Sequence, residues 1–423
     1  MNLPGNIVTF LEYLYMVIIV LMTVQAIFNI RLFLYIWERP EQEWLNVAPT
    51  IYREPRISFT ILLPAYHEAD VYANTIEKVY NLNYPKKLVQ IITLLRENDS
   101  ETIKVTSEKL NQLRASNIQM LVTSDKHGGK PHQLNLGLKI ATGEIVTIFD
   151  AEDEPHPDIL QVINTIFLNE PVDVVQSGVQ LMNHNTKWFC FLNVLEYFFW
   201  FKSALHFFAH CGMTPLGGNT VFVKRTLMQQ LGGWDANTLT EDADLGIRLC
   251  IARARVRILY DDEFVTKEET PQTSKQFIRQ RTRWNQGFIQ ILFAGRWLQL
   301  QKLSQRLLAL YVLILPEVQA FFTLMLPVAL LTFFFVKLPV WMAIMTFMPF
   351  LCFLFVMFIS LAGLYEFVKV HHRKWRWSEA CVLLIAFIPY QILLGIGAVR
   401  AVWRQVLGAA DWEKTPHIGQ HRN

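Results

Sequence analysis

Five carboxylates fall within the nine residues Asp150-Ala-Glu-Asp-Glu-Pro-His-Pro-Asp158, immediately after the apolar run Val146-Thr-Ile-Phe149. Carboxylate oxygens grouped in this way suit a hard cation such as Mg²⁺ or Mn²⁺, which would in turn recruit phosphate oxygens. Lys130, at the end of Gly128-Gly-Lys130, is only a fragment of a phosphate loop, yet it could meet a diphosphate as a point charge. Farther on, Pro215-Leu-Gly-Gly-Asn-Thr220 and Leu231-Gly-Gly-Trp-Asp235 let the backbone turn sharply or pass close to a ligand. Thr240-Glu-Asp242 has the composition of a helix start, where a carboxylate is stabilised and fixed in direction; an ordinary cap is the competing account. Gln280-Arg-Thr-Arg-Trp-Asn-Gln-Gly287 joins two guanidinium groups to an indole. Arginine suits bidentate phosphate contacts and a tryptophan face suits a sugar ring or acyl chain, whereas a basic-aromatic membrane anchor would carry the same residues.

The elements that must position these groups alternate. Arg56 to Leu63, Leu88 to Leu95, Asn117 to Thr123 and Glu144 to Phe149 have strand character, separated by helical patterns over Val71 to Leu82, Glu101 to Ala115 and Gln133 to Ala141. Strand and helix in strict alternation predict a mostly parallel sheet covered by helices. Such a sheet binds ligands beyond the carboxyl ends of its strands. Tyr66 and Glu68 follow the first strand, Glu97 and Asp99 the second, and Asp150, Glu152 and Asp153 the fourth. Acidic residues favour turns in any protein, but here topology converges them on one edge.

The whole chain has 423 residues, of which 52% are hydrophobic and 18% charged, with positive mean hydropathy. That is too apolar for two soluble domains and predicts a membrane protein with a sizeable soluble part. Tyr13 to Ile30 carries no charge and continues apolar past Arg31 to Trp37; Val318 to Val336, Pro339 to Gly363 and Ala380 to Val399 are further candidate spans. The expected organisation is an N-terminal span and linker (1–54), a soluble domain (55–285), interfacial helices (286–317) and three more spans with a tail (318–423). Lys187 to His210, and a stretch from Phe288 to Leu303, are expected to lie at the membrane interface, with a buried core helix as the alternative for the first. The basic loop Lys369 to Arg376 favours the cytoplasm. Threading from it puts the soluble domain in the cytoplasm and both termini outside. A net charge of +3 without long basic runs excludes nucleic acid as a partner, and five cysteines without ligand spacing exclude a disulfide framework or a thiolate metal site.

The ordered set Pro64-Ala-Tyr-His-Glu68, Glu97/Asp99, Gly129-Lys-Pro-His-Gln-Leu-Asn135, Asp150-Ala-Glu152, Thr240-Glu-Asp242 and Gln280-Arg-Thr-Arg-Trp284 resembles the membrane-integrated glycosyltransferases of family 2, with their D, DxD, TED and QxxRW series. The group includes cellulose, hyaluronan and chitin synthases. The resemblance implies a GT-A type α/β domain joined to transmembrane and interfacial helices. It also implies that Ala65, Tyr66, Glu68 and Glu97 or Asp99 line a uridine pocket, with Lys130 on the diphosphate. Asp150 and Glu152 would hold Mg²⁺ or Mn²⁺, and Asp242 would be the general base. Glu241, Gln280, Arg281, Arg283 and Trp284 would close over diphosphate and acceptor. Two positions depart from the family pattern: the first acidic motif is Arg96-Glu-Asn-Asp99, and the metal motif ends in Glu152 where aspartate is usual.

One base without a second catalytic carboxylate implies a single displacement with inversion. The expected activity is therefore β-transfer from a UDP-sugar to a growing saccharide, coupled to export across the plasma (inner) membrane. A glycolipid synthase acting on a lipid acceptor is the alternative enzyme, and a nucleotide-sugar sensor or transporter the alternative of another class. An export partner or homo-oligomer is compatible with either enzyme.

Overall fold

The computed structural model describes residues 5–39, 44–124, 129–335, 339–409, 413 and 418–419. After the long helix α1 (Gly5–Glu38) come β1 (Phe59–Pro64), α2 (Ala69–Tyr80), β2 (Val89–Arg96), α3 (Ser100–Leu113), β3 (Ile118–Thr123), α4 (Lys130–Ile140), β4 (Ile145–Ile148) and α5 (Ile159–Asn169). The chain continues through β5 (Val174–Ser177), β6 (Val179–Leu181), α6 (Cys190–Phe199), α7 (Leu205–His210), β7 (Val221–Lys224), α8 (Arg225–Gln230), α9 (Glu241–Ile251), β8 (Val256–Leu259) and β9 (Thr266–Glu268). It ends in α10 (Ser274–Ala294), α11 (Leu303–Phe335), α12 (Val340–Val370) and α13 (Trp377–Val406).

Seven strands form one sheet in the order β3-β2-β1-β4-β7-β5-β8, and β6 pairs with β9 beside it. The β1–β2, β1–β4, β2–β3 and β5–β8 pairs are parallel, whereas β7 runs antiparallel to both neighbours. Both faces are covered, so β1 reads FTILLP without a polar face and all six residues are buried. Its side chains alternate: Phe59, Ile61 and Leu63 pack with Tyr72 of α2 and Ile163 of α5, while Leu62 packs with Leu134 of α4 and Leu245 of α9. The alternating pattern therefore yields the expected α/β sheet.

Among the described residues, four helices are long and apolar enough to cross a membrane: Glu12–Glu38, Leu303–Met325, Val340–Val370 and Trp377–Val406. Two expectations change. Residues 303–317, placed among interfacial helices, are the first half of the continuous helix α11. Lys187 to His210 is a core element: α6 and α7, joined by a π-helical turn over Trp200–Ala204, pack with α12 and α13 around Phe198, Phe199, Phe367 and Tyr390. The charges within it are paired. Lys202 Nζ lies 3.1 Å from Asp262 and 2.9 Å from Glu366, and Glu196 accepts hydrogen bonds from Arg281 and Tyr390.

Described parts of the tail also contact the sheet domain. Ile418 and Gly419 donate their N–H groups to Glu269 at 2.6 and 3.0 Å, and Gln286 Nε2 donates to the Ala409 carbonyl at 2.5 Å. Charge bias alone cannot register these long-range contacts.

Candidate active site

At the carboxyl end of β1, the Ala65 N–H donates to Leu94 O at 3.0 Å, continuing the ladder one residue beyond the strand. Tyr66 follows with its ring under the Arg96 guanidinium, 4.4 Å from carbon to centroid. His67 adopts positive φ (56°), and its N–H donates to Asp99 Oδ2 at 2.5 Å. The buried Glu68 donates its N–H to Thr102 Oγ1 at 3.1 Å. Asp99 caps α3 by accepting from the Thr102 N–H at 3.2 Å and is buried. The two acids of the second strand end thereby separate: Asp99 ties the first two loops together, while Glu97 is exposed.

Lys130 opens α4. Its Nζ lies 2.5 Å from Asp150 Oδ1 and 3.5 Å from the Gly218 carbonyl. Burial acts to lower its pKa, but Asp150, Glu241 and Asp242 outweigh that and raise it, so the ammonium stays charged. Glu241 and Asp242 occupy the first turn of α9, facing the Gly217-Gly218 loop, and a side chain on Gly218 would sit 3.2 Å from Asp242 Oδ2. Burial raises both carboxyls, Glu241 to about 7. Lys130 opposes the rise in each, and Arg283 also opposes it at Asp242. Arg283 in turn lies within electrostatic reach of Glu241, Asp150, Asp242 and Glu152.

The QRTRW segment divides along α10. Arg283 joins the carboxylate cluster, whereas the Arg281 guanidinium is held by Asn193 (2.7 Å) and Glu196 of α6 and stacks on Trp284 at 4.6 Å. Arg281 is therefore engaged in fixing α10 and the indole. Tyr197 also lies beside Trp284, 6.4 Å between ring centroids, and Gln280 is partly exposed on the same helix. Gly287 lets α10 approach α9, because a Cβ there would collide with the Thr240 side chain.

Asp153, which acidic turn composition would leave at the surface, is fully buried. It accepts from the Asp150 N–H at 2.8 Å and from Asn219 Nδ2 at 2.9 Å, and Asn219 also bonds Glu268. The turn that carries Asp150 and Glu152 is thus bolted to the Gly-Gly loop beside Asp242. Glu268 and Tyr197 carry no motif signal; Asn219 did follow the glycine pair, and only its buried partner was hidden.

Asp150 and Glu152, both partly exposed at the end of β4, offer oxygen donors of the kind Mg²⁺ or Mn²⁺ takes. Among the described residues no group of three or more His, Cys, Asp or Glu side chains could hold an ion alone. Asp150 and Glu152 would be its protein donors.

The site thus joins charged residues of both signs at the carboxyl edge of a mostly parallel sheet, with membrane-length helices beyond it. The chain belongs to the family described as Glycosyltransferase like family 2, which residues 55–287 match. Similar proteins include the "Probable glycosyltransferase YdaM" of Bacillus subtilis, 26% identical over 266 residues, covering 59% of this chain and 59% of the relative. The "Beta-monoglucosyldiacylglycerol synthase" of Trichormus variabilis is 28% identical over 236 residues, covering 54% of this chain and 48% of the relative. The "Glucomannan 4-beta-mannosyltransferase 2" of Arabidopsis thaliana is 27% identical over 239 residues, covering 54% and 43%. The chain thus spans about half the length of these curated relatives. In fold it is similar to the mannosyltransferase PcManGT from Pyrobaculum calidifontis, solved with GDP-Man and Mn²⁺, at a TM-score of 0.51 and 18% identity over 91% of this chain and 99% of that one.

Proposed function

We propose that this chain is an inverting β-glycosyltransferase moving a sugar from a UDP-sugar to the hydroxyl of a growing saccharide at the inner membrane, with the sheet domain cytoplasmic and export coupled to synthesis. The observation that carries this is the charge cluster itself: Lys130 on Asp150 at 2.5 Å, with Asp242, Glu241 and Arg283 in mutual electrostatic reach. Asp242 takes the acceptor proton; its burial raises its pKa, which makes it a better base than an exposed aspartate. The acceptor oxygen attacks the anomeric carbon as the bond to the diphosphate breaks, and the bonding pair leaves on the phosphate oxygen. Lys130 and Arg283 offset that charge. A divalent cation bound by Asp150 and Glu152 would supply further neutralisation of the diphosphate. Tyr66 and the exposed Glu97 border the base and ribose, and Trp284, fixed by Arg281, offers its face to the acceptor sugar.

Single-sugar transfer to a lipid is the second reading. The glycolipid synthase among the relatives and the apolar faces of α12 and α13 beside the site favour it. Purified protein incubated with labelled nucleotide sugars and Mg²⁺ or Mn²⁺ tests both. The proposal expects nucleoside diphosphate release with a β-linked product of more than one sugar; an α-linked product overturns inversion, and a single-sugar lipid overturns polymerisation.

A further inference from the structure

We infer that the corner between α12 and α13 is a binding site for the anionic headgroup of a phospholipid, and that the bound headgroup steadies the active site through β6 and β9. Lys369-Val-His-His-Arg-Lys-Trp-Arg376 holds four cationic side chains and two histidines in eight residues, without one acid. The nearest acids along the chain are already engaged. Glu366 lies 2.9 Å from Lys202, and the buried Glu379 lies 3.7 Å from His184. Lys369, Lys374 and Arg376 meanwhile stand exposed.

Further positive charge comes from the sheet domain. The His371 ring packs on Phe367, 4.7 Å between centroids, and its Nε2 is buried without a hydrogen-bond partner among the described residues. Burial lowers the pKa of this ring to about 4, and Arg373, Lys267 of β9, Lys202 and His372 act in the same direction. The charges that act on it most are positive, and an anion at the corner would offset them.

Position selects the source of that anion. Helix α12 is long and apolar enough to cross a membrane and exposes Phe355, Phe358 and Tyr365 along its length. Where its apolar run ends, Tyr365, Trp375 and Trp377 form an edge-to-face ladder at 5.6 and 5.8 Å, with Trp377 78% exposed. Aromatic rings of this kind settle at headgroup depth, and basic residues beside them meet the phosphates of anionic lipid. A soluble phosphate would need no such apolar approach.

The corner also reaches the active site. Arg373 Nη1 lies 3.2 Å from Nδ1 of His184, which follows β6 in the chain. Leu181 of β6 pairs with Glu268 of β9, and Asn183 accepts from the Thr270 N–H at 2.8 Å. Glu268 bonds Asn219, which bonds Asp153 of the acidic turn. Ordering Arg373 therefore orders the strand pair on which that turn is fixed.

Full-length protein in lipid nanodiscs tests both parts. Spin-labelled phosphatidylglycerol should be held at the protein in preference to spin-labelled phosphatidylcholine, and the double variant Lys374→Gln, Arg376→Gln should weaken that preference by about five-fold per charge. Equal retention of the two lipids by wild type, or a preference unchanged in the double variant, overturns the site. Inorganic phosphate added at constant ionic strength should leave the preference in place; its loss would assign the corner to a soluble anion and overturn the lipid. Amide hydrogen exchange over Val179–Leu181 and Thr266–Glu268 should slow when phosphatidylglycerol replaces phosphatidylcholine. Arg373→Gln should lose that slowing and Arg373→Lys should keep it, whereas exchange indifferent to the lipid overturns the coupling. Both measurements are read without turnover, so they stand or fall apart from the proposed reaction.

Discussion

Asp242 and Glu241 sit side by side at the start of α9, and their environment makes the site sensitive to pH. Burial lifts the Glu241 carboxyl to about 7, well above the ordinary carboxylate range, and the Asp242 carboxyl moves the same way. Groups with a raised folded pKa bind more protons folded than unfolded, so stability falls as pH rises through that window and levels off above it. Glu241→Gln should reduce the slope of melting temperature between about pH 4.5 and 7, read by thermal unfolding in detergent; an unchanged slope would contradict the burial of that carboxyl. Lys130→Met should raise donor KM and lower kcat, together by about 10²-fold or more in kcat/KM, because Asp150 would keep its charge without the ammonium 2.5 Å away. Steady-state kinetics at saturating cation check this, and a change confined to acceptor KM would put Lys130 elsewhere. At this scale the sequence made the type and order of the charged groups legible, since motif spacing records chemistry. It could not separate Arg281 from Arg283, two residues apart on one helix, because only the partners Asn193 and Glu196 on α6 decide which guanidinium meets the carboxylates.

Helix and strand placement was legible because periodicity is local: β1, β2, β3, β4 and the start of α9 fall within a few residues of where apolar alternation and the Thr240 signal put them. The Lys187 to His210 segment was harder. Its aromatic richness is compatible with an interface or a core, and the paired Glu196 and Lys202 become visible only when their distant partners are known. Between elements, the closest approach that matters for the site is α10 on α9 at Gly287. Gly287→Ala forces Thr240 to move and should destabilise the protein by about 1–3 kcal/mol. Because Thr240 immediately precedes Glu241 and Asp242, turnover should drop more than donor affinity. Melting temperature together with a kcat and donor-affinity split checks this; a variant with normal stability and turnover would show that α10 is free to shift.

On the scale of the whole molecule, a sheet domain with cores on both faces joins a buried apolar cluster built by α6, α10, α12 and α13. Trp284 is braced through Arg281 and Glu196 to Tyr390 of α13. Composition announced the membrane-length helices, but how they sit against the sheet domain depends on contacts between residues more than a hundred positions apart, such as Gln286 with Ala409. Assigning the proton transfer to Asp242 is the central claim. Nucleoside diphosphate release by wild type and Asp242→Asn, with donor binding measured by calorimetry on the same preparations, tests it most directly. Release should fall by about 10²–10⁴-fold while donor affinity stays within a few-fold; turnover unchanged in Asp242→Asn would contradict it.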